Sequence, residues 1–571
     1  MKTFIQTIGL VLIIAFGAHL FVNPPIQSQE TIELVQPNSL KWWHDAVTYQ
    51  VWVRSFQDSD GDGVGDLAGL TSKLDYLKSL GVNTLWLSPI FESPSYHGYD
   101  TSNFYLIAPD LGSMDDYYAF IGKAKAKGMH IILDIAFNHV SEYHPWFQKS
   151  LTKETPFDDY FVWKKNIPGN YGRPWSDVED PTAVWHKKPE RDDYYYGVFG
   201  WTQPDLNLKN IDVKDEINHI ASFWLNKGVD GFRLDAVRYL IEDGGIGKQA
   251  DTSSTHKFLK DFTAHVKSVK PDAWVIGEAA DNTRAVARYY KNGKSIDSTF
   301  DFAFGNVVAS SLDRAPINQE TKYREKMQRQ KASLHALWDV FKERAHAKVP
   351  STFYAAFLNG HDSDRLAHSL NGNMTQAKIA ASLLLTAPYA PFLYYGEEIG
   401  MTQKDSGDDM YRRALMQWDD SANAGFNQTG NRWLDDADTF YWLKDFTPWW
   451  KNYWQNLPNK QTQTVSGQIN DPRSLLAHYQ QLIQLRKDNP IIRQPDSIHL
   501  INNFTNVWLV RYTKGQDNLW IVINLDSEQD TVLELPEELT GTFTNLISQQ
   551  PINLAEKVTM DKGQIMVLKT K

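Results

Sequence analysis

Beyond Trp42 the chain alternates short, nearly unbroken apolar runs with longer stretches of helical period. Val47–Val53, Val82–Leu87, His130–Ile135, Val229–Leu234, Trp274–Gly277, Ser298–Phe302, Phe353–Leu358 and Pro391–Tyr395 read as strands covered on both faces. Between them Leu70–Leu80, Asp115–Lys127, Val213–Lys227, Lys257–Lys270 and Met374–Leu385 repeat apolar positions at helical spacing. This alternation predicts an α/β fold, a (β/α)8 TIM barrel. A doubly wound open sheet is the runner-up, disfavoured because no glycine-rich phosphate loop follows the first strand.

Two interruptions break the rhythm. Residues 140–210 are rich in Tyr, Trp, Pro and Asp with little helical period, which predicts a subdomain inserted after the third strand. A second aromatic-rich excursion runs from Glu397 to Asp471, before a helix near Ser474–Lys487 that would close the barrel. From 491 to 571 the period changes to two, as in Val507–Val510 and Leu519–Ile523, predicting a C-terminal all-β sandwich. The barrel is thus expected over 42–139 and 211–490. Residues 23–41, polar and carrying Pro24, Pro25 and Pro37, read as a linker. Residues 1–22, with a basic start and an apolar run from Ile8, read as a signal peptide or, as the minority reading, an uncleaved anchor. Either reading places the folded part outside the cytoplasm, secreted or periplasmic.

At 571 residues the chain exceeds what one core supports. A formal charge of −11 argues against nucleic acid as a partner. The absence of cysteine excludes disulfides, thiolate metal sites and a cysteine nucleophile. The 20 Trp and 26 Tyr offer flat apolar faces of the kind sugar rings stack on, although most belong in cores.

The chemistry concentrates where strands end. In Gly231-Phe232-Arg233-Leu234-Asp235-Ala236, Arg233 and Asp235 leave a strand by the same face. A guanidinium beside Asp235 favours the ionised carboxylate, the form a nucleophile needs. Trp274-Val275-Ile276-Gly277-Glu278 sets a carboxyl group after an apolar strand, where burial raises its pKa as a general acid requires. Asp134-Ile135-Ala136-Phe137-Asn138-His139 and Asn359-Gly360-His361-Asp362 add polar groups at further strand ends. An isolated Arg-x-Asp is more often a structural ion pair, and an isolated His beyond a strand more often a hydrogen-bonded structural residue. Their gathering at one end of one barrel is what packing does not explain.

The first loop, Asp58 to Asp66, crowds four aspartates among glycines. Oxygens from Asp58, Asp60, Asp62, Asp66 and the Val64 carbonyl suit Ca2+, with a solvated acidic turn as the alternative. The EF-hand pattern fails at its twelfth position, where Gly69 replaces the glutamate.

Taken together, these motifs resemble the α-amylase family of glycoside hydrolases from about Trp42 to the C-terminus. The resemblance implies retaining double displacement on α-glucosidic bonds. Asp235 matches the nucleophile, Glu278 the general acid/base and Asp362 the carboxylate that steadies the transition state. Arg233 matches the residue orienting the nucleophile, His139 and His361 the hydroxyl-binding histidines, and Tyr99 the stacking platform. Asp100 and Arg413 resemble a pair closing the non-reducing side of that subsite. Gln203-Pro204-Asp205-Leu206-Asn207 looks like the oligo-1,6-glucosidase branch, whereas Ala236 resembles α-1,4-acting members. Arg238-Tyr239 stands where many α-amylases carry Lys-His, and Gly360 where Asn usually precedes His-Asp. The first departure puts the usual interdomain calcium site around Asn138 in doubt.

The expectation is therefore a monomeric, calcium-dependent hydrolase of starch or maltooligosaccharides. The alternatives are an α-glucosidase or oligo-1,6-glucosidase, a transglycosylase or glucosyl isomerase on the same scaffold, and a non-catalytic, membrane-anchored binding partner.

Overall fold

The computed structural model describes residues 30–176, 178–312, 334–403, 409–432, 463–501 and 506–570. Residues 1–22, residues 23–29 of the expected linker and parts of the second excursion lie outside them.

Eight parallel strands close into a barrel: β1 Thr48–Val51, β2 Thr84–Leu87, β3 His130–Ile135, β4 Gly231–Leu234, β5 Trp274–Gly277, β6 Ser298–Asp301, β7 Tyr354–Phe357 and β8 Ala390–Tyr394. Nearly every residue of these strands is buried, because packed side chains fill the inside and helices cover the outside. The helices fall where the apolar period set them, for example Met114–Ala126, Ile211–Asn226, Ser253–Val269 and Met374–Thr386. The first expected helix is in two pieces, Leu67–Ser72 and Leu74–Leu80, joined at Lys73. Helix Leu475–Asp488 packs on both Met374–Thr386 and Leu74–Leu80 and so completes the ring.

The insertion after β3 carries a small antiparallel sheet, Trp163–Lys164, Tyr194–Tyr196 and Trp185–Lys187. Its own aromatic cluster is centred on Trp185 and Tyr196. The C-terminal region is a broad antiparallel sheet faced by the ribbon Thr531–Glu534 and Lys557–Met560. Trp520, Val522, Leu533, Leu539 and Met560 fill the space between the layers. It begins at Ser497, since Pro490–Arg493 forms a helical turn first.

The linker expectation needs correction. Glu30–Glu33 is a strand, paired antiparallel with Ser497–Leu500 at the edge of the C-terminal sheet. Four residues with a single buried side chain, Ile32, carry too weak a pattern to reveal this in sequence; the partner strand supplies the hydrogen bonds.

Candidate active site

Strand register places the two principal carboxylates side by side. Arg233 on β4 sits level with Asp134 on β3 and Ile276 on β5. One step beyond the strands, the Asp235 N–H donates to the Ile135 carbonyl (3.0 Å) and the Glu278 N–H to the Leu234 carbonyl (3.0 Å). Both residues therefore stand on the same rim, at the C-terminal ends of neighbouring strands.

Arg233 is buried beneath them and binds three carboxyl groups. Its Nη1 meets Asp134 Oδ1 at 2.7 Å and Asp235 Oδ1 at 2.6 Å, and its Nη2 meets Glu278 Oε2 at 2.8 Å. A single guanidinium thus reaches both Asp235 and Glu278, which fixes them as close neighbours. Its one positive charge is divided, however. Burial raises Asp235 above its ordinary value, and repulsion from Asp134 and Asp362 adds to this against the opposing pull of Arg233. Arg233 favours the ionised form, and burial and the neighbouring acids work against it. Burial also raises Glu278, with Asp235 and Asp362 pushing the same way against Arg233. Arg233 and the Ala236 N–H (3.1 Å) both hold Glu278 Oε2, which leaves Oε1 as the atom to carry a proton. Ala236 adopts a left-handed conformation, φ 48° and ψ 37°, a cost of roughly 1–2 kcal/mol tolerated in order to aim that N–H.

Asp362 behaves oppositely. Burial alone would raise it, but His361 (Nε2 to Oδ2, 2.8 Å), Arg413 (Nη2 to Oδ1, 2.9 Å) and Arg233 outweigh burial and lower it. A chain of hydrogen bonds fixes the imidazole. Gln50 Nε2 donates to His361 Nδ1 (2.7 Å), so the ring proton sits on Nε2, which faces the Tyr99 hydroxyl at 2.7 Å. Tyr99 in turn donates to Asp134 Oδ2 (3.0 Å), as does Trp86 Nε1 (3.0 Å). Tyr99 also stacks on His361, ring centroids 5.6 Å apart at 15°. A hollow opens among Trp86, Glu278, Phe300, Phe357, His361 and Asp362.

His139 stands at the rim against Phe199 (5.1 Å) and near Gln203 (Nε2 to Nε2, 3.3 Å). Burial lowers its pKa to about 3, so it is a neutral hydrogen-bonding group. Asp100 and Arg413 do not form the expected pair. Asp100 accepts hydrogen bonds from Ser93 and Ser95, and burial raises it to about 6. Arg413 instead engages Asp362, Asp409 and the Tyr96 hydroxyl. Short serines five and seven residues upstream reach Asp100 first.

Asp134, Gln50 and Asp409 are the site residues that sequence reasoning left unassigned. Asp134 had a signal: an acid inside an otherwise apolar strand demands a buried cation opposite.

The acidic loop gathers Asp58, Asp60 and Asp66, whose oxygens lie within 4.8 Å of one another. Asp62, expected as a ligand, is not part of that cluster; its carboxylate turns to accept the Val64 N–H (2.7 Å). Among the described residues no Lys or Arg pairs with these aspartates. Backbone N–H groups of Ser59, Asp60, Gly61, Gly63 and Gly69 hold Asp58 and Asp66 in place. An oxygen-only cluster without a counter-charge fits a hard cation. At the doubted second calcium position, Asn138 Nδ2 donates to the Tyr239 carbonyl (2.8 Å) and to Asp205 Oδ2 (3.2 Å). Arg238 turns away to Asp251 and Asp281.

Residues 50–495 match the family model described as alpha amylase, catalytic domain. The chain is 34% identical over 533 residues to alpha-amylase 3 of Dictyoglomus thermophilum, covering 92% of each. It is 28% identical over 597 residues to an oligo-1,6-glucosidase of Bacillus cereus, covering 93% of this chain and all of that one. Among solved structures, the alpha-amylase from H. orenii superposes with a TM-score of 0.75 at 30% identity, covering 92% of this chain and 99% of that one.

Proposed function

The chain belongs to the α-amylase family of glycoside hydrolases, and from that premise we propose that it cleaves α-1,4-glucosidic bonds of maltooligosaccharides and starch with retention. Asp235 attacks the anomeric carbon through Oδ2, since Arg233 holds Oδ1. Glu278 protonates the leaving oxygen from Oε1, then takes the proton from the water that releases the sugar from Asp235. Its raised pKa keeps that proton available. Asp362, kept ionised by His361 and Arg413, meets hydroxyls and developing positive charge on the flattened ring. Tyr99 and His361 supply the platform and a donor at the same ring.

The observation that carries the reading is the single guanidinium shared by Asp235 and Glu278. Retention needs two carboxyl groups about 5–5.5 Å apart, and inversion a gap of about 6.5–9.5 Å that admits a water. Proton NMR of the first product from maltopentaose tests this. The α-anomer is expected first; a β-anomer appearing first would end the proposal.

A second reading, α-1,6 cleavage, is supported by Gln203 of the Gln-Pro-Asp-Leu-Asn motif, whose amide stands beside His139 at the rim. Comparison of products from maltoheptaose, pullulan and isomaltose separates the two. Asp58, Asp60 and Asp66 are proposed to hold a structural Ca2+. Residues 1–22 are proposed to direct the chain out of the cytoplasm. Among the described residues no helix is long and apolar enough to cross a membrane.

A further inference from the structure

Two adjacent glutamates just beyond β8, Glu397 and Glu398, are buried and take no part in the steps above. They sit in a helical turn, Glu397–Ile399, bracketed by Gly396 and Gly400, both left-handed at φ 77° and 75°. The turn is pinned at both ends. The Gly396 N–H donates to the Tyr49 hydroxyl (3.1 Å), and Gln468 Nε2 donates to the Ile399 carbonyl (2.8 Å).

A carboxyl group taken out of water is costly unless donors meet it. Each of these two is met by a pair of neutral donors. Glu398 Oε1 accepts from the hydroxyls of Tyr49 (2.8 Å) and Tyr76, which joins β1 to helix Leu74–Leu80. Both of those partners belong to the scaffold. Glu397 is different. Its Oε1 accepts from the Tyr479 hydroxyl (2.8 Å) on helix Leu475–Asp488, and its Oε2 accepts from Asn359 Nδ2.

Asn359 opens the loop that delivers His361 and Asp362 after β7, and it lines the same hollow. The other anchors of that loop act further along it. Arg413 Nε donates to the His361 carbonyl (3.2 Å), Gln50 holds the imidazole, and the Gly360 N–H donates to the Ser363 hydroxyl (2.8 Å). Gly360 itself has no side chain with which to anchor. The grip of Glu397 on Asn359 is therefore what fixes the start of the loop. Asp362 serves the flattened ring more than the ground-state sugar, so a small displacement of this loop falls mainly on the transition state.

We infer that Glu397 is a positioning residue for the reaction: held by Tyr479 of the helix that closes the barrel, it clamps Asn359 and so sets where His361 and Asp362 stand. This rests on the hydrolytic reading above.

The test is a double-mutant cycle on maltopentaose, with folding followed by circular dichroism. Glu397→Ala should lower kcat about tenfold while KM stays within about twofold of the parent. Glu397→Gln should recover most of the loss, because its amide offers an oxygen to Asn359 and an N–H to the Tyr479 oxygen. Asn359→Ala should cost as much as Glu397→Ala, and the two together no more than either alone. Tyr76→Phe, which takes one donor from Glu398, should lower the melting temperature yet keep the parent kcat. A parent kcat in Glu397→Ala, losses that multiply in the double variant, or an equal loss in Tyr76→Phe would each overturn the positioning role alone. Should Glu397→Ala not fold, Tyr479→Phe cuts the same chain at its far end; the same split is expected of it, and a parent kcat would overturn the role. A parent protein that left maltopentaose intact would overturn the hydrolytic reading and this role with it.

Discussion

Two clusters of carboxylates in this molecule meet the same electrostatic difficulty in opposite ways. At the barrel rim, Asp134, Asp235, Glu278 and Asp362 are gathered around two buried arginines, Arg233 and Arg413. In the first loop, Asp58, Asp60 and Asp66 converge with no basic side chain among the described residues, held by backbone N–H groups. Where the chain builds in its own cation, it can divide one charge unequally among several acids. Asp362 then falls below its ordinary value while Asp235 and Glu278 rise. Where it does not, backbone N–H groups hold Asp58 and Asp66, both buried, and the exposed Asp60 completes a cluster whose lone pairs turn to one point. The first arrangement tunes reactivity; the second suits the hard cation proposed above.

The rim can be broken most completely at the nucleophile. Asp235→Asn should lower kcat/KM on maltopentaose by about 10^4-fold or more, measured by product chromatography, with the circular dichroism spectrum unchanged. Removing the shared cation is the next largest perturbation. Arg233→Met leaves the buried Asp134 and the half-buried Asp235 and Glu278 without their partner and should destabilise the fold by about 3–5 kcal/mol, read from urea unfolding, besides ending activity.

The loop is sharpened by chelation. Removing Ca2+ should lower the melting temperature of the parent, since an ion at 100 times its Kd contributes about 2.7 kcal/mol. Asp60→Ala should abolish that response, and an unchanged melting curve on chelation of the parent would mean a solvated acidic turn.

The smallest effect is also the most particular. Glu278 has a folded-state pKa above its ordinary 4.5, so the folded protein binds that proton more tightly than the unfolded chain. Stability from this group is present below the unfolded value and lost as pH rises through the folded one. Glu278→Gln should therefore be inactive yet melt slightly higher than the parent at neutral pH. The gap should close as pH falls below about 4.5, measured by calorimetry across pH. The same raised values place the acid limb of kcat/KM, where Asp235 gains its proton, above the ordinary aspartate value of 3.8.

What the sequence disclosed follows the same division. Strands buried on both faces are written as apolar runs, so the barrel and the order of its strand ends were legible, and Asp235, Glu278 and Asp362 with them. Arg233 and Asp235 share a strand, so their contact follows from a period of two. Partnerships between distant segments were not legible. Whether Arg413 pairs with Asp100 or with Asp362 and Asp409 depends on how three loops settle together. Strand Glu30–Glu33 exists only because Ser497–Leu500 offers it an edge. Within the acidic loop, composition pointed to a cluster, but Asx turns chose which carboxylates face inward and turned Asp62 aside.

The central claim is that Asp235 forms a bond to the sugar while Glu278 moves the proton. A 5-fluoro-α-maltosyl fluoride, which slows release of the covalent intermediate, tests it directly by mass spectrometry of the digested protein. The account predicts one added glycosyl mass on the peptide containing Asp235. A label on any other residue would contradict it.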